Sequence, residues 1–189
     1  MTKNIMIVGV GGQGTLLTSR LLGNVMVSRG YDVKVSEVHG MSQRGGSVVT
    51  YVRYGEKVAS PVIEQGEADI ILAFEQLEAA RWLPYLKNDG RLIVNTQVID
   101  PMPVVNGIAE YPKNILEELE ATGVCVTALD ALSKAVQVGN AKAVNVVLVG
   151  VMAKFLDIDE AEWIKAIEQT VPLKFRDLNK AAFYLGYNN

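Results

Sequence analysis

The chain has 189 residues, 49% of them apolar and 21% charged, enough to bury a sizeable core and too hydrophobic for a disordered protein. A formal net charge of −3 leaves no basic footprint for nucleic acid. One cysteine, Cys125, and one histidine, His39, cannot form an intrachain disulfide, ligate an iron–sulfur cluster or close a zinc site, so any metal redox centre must belong to another chain.

The N-terminus runs from Met-Thr-Lys-Asn straight into a strand-like segment, with no apolar leader of useful length. The longest apolar run, Ala143–Leu156, is shorter than the roughly 20 residues of a membrane span and is broken by Asn145 and Lys154. The expectation is a cytoplasmic protein with no membrane contact.

Asn4–Val8 is a continuous apolar run, as in a strand covered on both faces. After the glycines of Gly9–Gly14, Leu17, Leu21, Leu22 and Val25 recur at helical spacing, and Gly30-Tyr31-Asp32 stops that helix before a second strand at Val33–Val38. This βαβ unit predicts two parallel strands with the helix on one face. His39–Gly46 has three glycines and no periodicity, which makes it a loop. Ser47–Arg53, a turn at Tyr54-Gly55-Glu56 and Lys57–Val62 then predict an antiparallel hairpin inserted in the sheet.

Alternation resumes with strand Asp69–Phe74, helix Gln76–Leu86, strand Arg91–Asn95, a proline-punctuated stretch at Asp100–Pro112, helix Lys113–Thr122 and strand Val124–Ala128. The rest is helical, with Ala141–Phe155 apolar on most sides and therefore buried. No linker or low-complexity segment divides the chain. The reading is one three-layer α/β/α domain over residues 1–189, with a mainly parallel sheet, an inserted antiparallel hairpin and a Rossmann-like start.

Gly9-Val10-Gly11-Gly12-Gln13-Gly14 contains G-x-G-x-x-G between a strand and a helix. Glycines allow a tight turn with positive φ and close approach of a ligand, and the helix beyond offers free N–H groups at the positive end of its dipole. The bland alternative is a turn that binds nothing. Glu37 lies 23 residues beyond Gly14, at the end of the second strand, where a dinucleotide fold places the acid that holds a ribose hydroxyl. A nicotinamide or flavin nucleotide therefore stays open, although the loop after Glu37 is not the crossover helix such a fold would form next.

His39-Gly40-Met41-Ser42-Gln43-Arg44-Gly45-Gly46 leaves the carboxyl end of a strand, where open α/β sheets place ligands. Arg44, between a neutral loop and two glycines, has the planar fork that suits phosphate or carboxylate. His39 can carry a proton, but a single loop histidine more often only hydrogen-bonds. Cys125 reads as core, and Trp82 and Trp163 as core or contact residues. Glu117, Glu118 and Glu120 read as a solvated helix face. Asn140 suits an N-cap of the late apolar helix, and Asn145 within that helix needs a partner if buried; both are read as structural.

GVGGQGTLL, SEVHGMSQRGGSV, ASPVI, GEADIILAFEQLEA and GNAKAVNVVLVG together resemble the gamma domain of 2-oxoacid ferredoxin oxidoreductases over roughly Ile5–Gly150. SEVHGMSQRGGSV is the narrower signal and resembles the beta subunits of the indolepyruvate branch. The resemblance implies a heteromeric enzyme that oxidatively decarboxylates indolepyruvate or related aryl 2-oxoacids, yielding an aryl-acetyl-CoA, CO2 and reduced ferredoxin. It implies no cofactor held by this chain alone: thiamine diphosphate and the iron–sulfur clusters would sit on a large alpha subunit, with coenzyme A as the cosubstrate near this domain. Carried over by motif, Gly9, Gly11, Gly12, Gln13 and Gly14 would form the binding loop, and His39, Ser42, Gln43, Arg44 and Gly45 would line its edge. No residue takes a catalytic role. The alternatives are the gamma subunit of a pyruvate, 2-oxoisovalerate or 2-oxoglutarate enzyme, or a self-contained NAD(P)-binding oxidoreductase.

Overall fold

A computed structural model describes residues 2–39 and 45–189, with His39 described through its backbone only. Among these residues six strands carry the fold: β1 (Lys3–Val10), β2 (Asp32–His39), β3 (Ser47–Gly55), β4 (Ala68–Ala73), β5 (Leu86–Asn95) and β6 (Cys125–Leu129). Eight helices among the described residues accompany them. They are α1 (Thr15–Ser28), α2 (Gln76–Trp82), α3 (Met102–Val105), α4 (Ile115–Ala121), α5 (Ala131–Gln137), α6 (Val144–Ala153), α7 (Glu160–Thr170) and α8 (Arg176–Tyr187).

The sheet order is β2-β3-β1-β4-β5-β6. β1, β4, β5 and β6 pair in parallel, whereas β3 pairs antiparallel with both β1 and β2. β2 therefore runs in the same direction as β1, as the βαβ pattern requires, but one reversed strand lies between them. The mainly parallel sheet with an antiparallel insertion is the expected fold class.

The hairpin is not the expected one. β3 turns back on β2 rather than on Lys57–Val62, which is not a strand. Both hydrogen-bonding edges of β3 are already taken, so β3 offers residues 57–62 no edge to pair with, and Pro61 has no N–H to offer a ladder. That segment is instead pinned from the side: the Val58 N–H donates to Asp32 Oδ2 at 2.8 Å, and Arg53 Nη1 donates to the carbonyls of Ser60 and Val62 at 3.1 and 2.7 Å. The helix expected over Gln76–Leu86 stops at Trp82 and finishes as a 3-10 turn at Leu83–Tyr85, because Pro84 interrupts the donor series.

Alternate residues of the central strands feed two cores. Ile5, Ile7, Ile70, Leu72 and Ile93 face α1 and the C-terminal helices α5–α8. Met6, Val8, Ile71, Leu92 and Val94 face α2 and α4. Every residue of α6 is buried, as its all-round apolar sequence predicts. α6 and α8 approach closely through glycines: a Cβ on Gly150 would strike the Phe183 carbonyl, and one on Gly186 the Val147 carbonyl. Cys125, expected in the core, is exposed, because β6 is the sheet's last strand and has a neighbour only in β5. Among the described residues no helix is long and apolar enough to cross a membrane.

Candidate functional site: a neutral cleft at the glycine turn

β1 runs two residues further than its apolar pattern suggested, so Gly9 and Val10 are strand residues and the turn proper is Gly11–Gly14. Gly12 and Gly14 hold φ of 102° and 88°, the left-handed region that favours glycine. Gly14 also has no room for a side chain, since a Cβ there would lie 2.6 Å from Asn145 Nδ2. It is the N-cap of α1; its carbonyl accepts from the Leu17 and Thr18 N–H groups. Among the described residues no side chain caps this helix, and no acid stands in its first turn, so its positive end suits an anion.

Gln13 is directed inward. Its Oε1 accepts from the Val10 N–H at 2.7 Å, and its Nε2 donates to the Phe74 carbonyl at 2.9 Å and to Gln97 Oε1 at 3.4 Å. Of the second glycine segment, Ser42, Gln43, Arg44 and the His39 side chain lie outside the described residues. Its far end is fixed: Gly45 is exposed with φ 79°, the Gly46 carbonyl accepts from the Gly11 N–H at 2.9 Å, and the Ser47 hydroxyl donates to the buried Glu78 carboxylate. The register sets Ser47 beside Val10, so the loop's return does adjoin the glycine turn. Glu37 pairs with Thr50 on β3 and is two strands from β1, about 10 Å across the sheet, whereas the ribose-binding acid of a dinucleotide fold sits on the neighbouring strand.

Beside the turn a cleft of about 750 Å³ opens. Gly12, Gln13, Gly14 and Leu17 form one wall, Asn140–Asn145 at the entry to α6 a second, and residues 170–179 at the end of α7 and the start of α8 a third. Gln97 and Leu132 complete it. Leu17, Leu132, Val171, Phe175 and Leu178 make much of the lining apolar, while amides of Gln97, Asn140, Asn145 and Asn179 supply neutral polarity. Among the described residues Lys142 is the one charged side chain lining it. Asn140 accepts from the Lys142 N–H at 3.0 Å and so caps the 3-10 turn Ala141–Ala143 that leads into α6. Asn145 finds its partner in the Gly14 carbonyl, 3.4 Å from its Nδ2. The two asparagines read as structural thus also form cleft wall.

Below the rim, the buried carboxylate of Glu75 caps α2 by accepting from the Glu78 N–H at 3.1 Å, and also accepts from Ile99 N–H at 3.2 Å and from the Tyr111 hydroxyl. Burial, together with donation to Glu75, pushes the Tyr111 hydroxyl well above its ordinary range. Among the described residues no three His, Cys, Asp or Glu side chains are grouped as a metal ion would require.

The family model for pyruvate ferredoxin/flavodoxin oxidoreductase matches residues 4–189. The chain belongs to this family. Within the family, indolepyruvate oxidoreductase subunit IorB of Thermococcus kodakarensis is 44% identical over 190 residues, covering 97% of this chain and 93% of that protein. Among solved structures, the gamma subunit of keto/oxoacid ferredoxin oxidoreductase from Geobacter sulfurreducens PCA shares the fold with a TM-score of 0.73 at 24% identity, over 98% of this chain and 96% of that one. The 2-oxoglutarate:ferredoxin oxidoreductase from Magnetococcus marinus, solved with 2-oxoglutarate, coenzyme A and succinyl-CoA bound, has a TM-score of 0.74 at 17% identity. That likeness covers 99% of this chain but 30% of the longer one, so the family's fold also occurs as one part of a larger polypeptide.

Sequence reasoning found the glycine turn of this family member and missed most of the cleft. Gln97 and residues 170–179 carry no local motif, whereas Lys142 lies within the GNAKAVNVVLVG segment that carries the resemblance. A second signal was Asn145, a polar residue in a helix otherwise apolar all round.

Proposed function

We propose that this chain is the small subunit of an indolepyruvate ferredoxin oxidoreductase, working in the cytoplasm, and that its cleft takes a phosphate-bearing part of coenzyme A. A large partner subunit would hold the thiamine diphosphate and iron–sulfur clusters; with one cysteine this chain has too few ligands for a cluster. In the overall reaction the 2-oxoacid would lose CO2 and give two electrons to two ferredoxins, and the acyl group would pass to the coenzyme A thiol, which releases its proton; the partner's thiamine diphosphate and clusters would supply the decarboxylation and electron-transfer chemistry. This chain contributes binding and orientation.

The observation that carries the reading is the combination in one cleft of a helix N-terminus with no described side-chain cap, the Lys142 ammonium and a lining of amides and apolar groups. A phosphate suits the first two, and the amide-containing, otherwise apolar pantetheine arm suits the third. The separation of Glu37 from the turn by β3 weighs against a self-contained dinucleotide enzyme.

The test is reconstitution with the large subunit and an assay of indolepyruvate-dependent ferredoxin reduction. Lys142→Ala is expected to raise the KM for coenzyme A about tenfold, the value of one charge-assisted hydrogen bond, with kcat held within about twofold. Full activity without this chain, or an unchanged KM in the variant, sinks the proposal. Preference for pyruvate over aryl 2-oxoacids would overturn the indolepyruvate assignment alone.

A further inference from the structure

Gln13 sits in the middle of the glycine turn, where a side chain would ordinarily be taken for a ligand contact. Its hydrogen-bonding capacity is spent elsewhere. The acceptor oxygen holds Val10 N–H, and the amide hydrogens are directed at the Phe74 carbonyl and Gln97 Oε1. Gln97 Oε1 is also the acceptor for Asn95 Nδ2 at 3.3 Å, and the same Nδ2 donates to the Phe74 carbonyl at 3.0 Å. Asn95 is fully buried, and its Oδ1 accepts from the N–H of Ala131, the first residue of α5, at 3.1 Å. The Gln97 backbone carbonyl in turn accepts from the Gln76 N–H at 3.3 Å.

Three uncharged amides thus link the turn to the ends of β4 and β5 and to the first turns of α2 and α5. Gly9 belongs to the same device. A Cβ there would lie 2.8 Å from Gln13 Oε1 and 2.9 Å from Phe74 Cβ, so the missing side chain makes room for the glutamine to fold back on the strand. At Gly12, by contrast, a Cβ would meet nothing within 4 Å.

From this we infer that Gln13 is a positioning residue: with Gln97 and Asn95 it sets the shape of the glycine turn before a ligand arrives, and the first glycine of G-x-G-x-x-G serves Gln13 rather than the ligand. This rests on the reading of the cleft as the coenzyme A site. Because the network carries no charge, among the described residues the attraction for an anion comes from α1 and Lys142, and the network's contribution is preorganisation.

The experiment uses the reconstituted complex with Gln13→Met, Gln97→Met and the double variant, and Lys142→Ala as a reference. Gln13→Met is expected to raise the KM for coenzyme A about tenfold, with kcat within twofold. The double variant should be no more than about twofold worse than Gln13→Met, since both remove one network. Amide exchange over residues 10–14, measured without coenzyme A, should accelerate about tenfold in Gln13→Met; loss of a mere ligand contact would leave exchange in the free enzyme unchanged.

Multiplicative KM effects of the two methionine variants, or unaltered exchange in Gln13→Met, would overturn the inference. If Lys142→Ala raises the KM while Gln13→Met does not, the positioning role fails and the cleft assignment stands. If neither changes it, the assignment itself falls. Should Gln13→Met fail to assemble, Gln97→Met decides by the same exchange measurement: a two- to threefold acceleration is expected, and none overturns the inference.

Discussion

The two ends of the sheet each carry a cavity, and they differ in how their polar groups are used. At the amino ends of β1, β4 and β5 a space of about 490 Å³ is lined by three cations, Lys3, Arg29 and Arg91, and three acids, Asp69, Asp89 and Asp157. Much of this charge is answered within the protein. Asp69 takes Lys3 at 3.6 Å and Lys87 at 2.8 Å, Arg29 pairs with Glu162 at 2.5 Å, and the Arg91 guanidinium lies 3.9 Å from the centre of the Phe155 ring. At the carboxyl ends the described residues of the lining hold one charge, Lys142, and among the described residues it has no acidic partner. Charge density therefore does not distinguish the proposed site from the other cavity. What marks the carboxyl cleft is polarity left over after folding, a helix end and an ammonium, on a frame braced by amides whose own bonds are complete.

The largest effect expected from breaking this contrast is on the frame. Gly186→Ala forces α8 away from α6, the helix that carries Asn145 to the cleft; a loss of about 3 kcal/mol in urea unfolding is expected, with weakened coenzyme A binding as a consequence. Next comes Gly14→Ala, which combines a φ of 88° with contact against Asn145. It should cost about 2 kcal/mol and raise the KM for coenzyme A at least tenfold.

A third prediction concerns the amino-end cavity. Burial is the first cause that pushes the Tyr54 hydroxyl up to about 12, aided by Asp69 and Tyr31. An unfolded tyrosine titrates near 10, so the folded chain holds this proton more tightly. Stability should be constant in this respect below pH 10 and fall between pH 10 and about 12, by roughly 2 kcal/mol. Tyr54→Phe should flatten that slope without changing the KM for coenzyme A, as seen in urea melts at pH 9 and 11.5. Smallest is Lys3→Ala, which removes a half-exposed ion pair; less than about 0.5 kcal/mol and no kinetic change are expected.

How much of this was legible in sequence follows a physical division. Local signals were read well: the strand ending in glycines, α1 with its stop at Gly30, and α6 as a helix without a polar face. Pairing was not. Whether β3 joins β2 or the segment after it depends on which edges are already occupied, and that is a property of the whole sheet. Cys125 failed for the same reason, since Val-Cys-Val-Thr-Ala-Leu has a buried composition but an edge position. The cleft was half visible: its glycine turn is contiguous, whereas Gln97, Lys142 and Phe175 come from elements far apart in the chain and bear no shared spacing. Gln13 was noticed as part of a motif, but only its hydrogen bonds show which way it faces.

The spread of the cleft along the chain has a further consequence during synthesis. Its first residue is Gly12 and its last Asn179. A nascent polypeptide that has emerged as far as β6 already has every strand of the sheet, yet lacks α6, the wholly apolar helix that covers one face, and the entire third wall. Such an intermediate exposes a broad hydrophobic surface beside an unfinished pocket, the state in which chaperone capture competes with folding. Ligand therefore cannot assist the early stages of folding, and premature release of the chain would yield an aggregation-prone remnant rather than a weaker subunit.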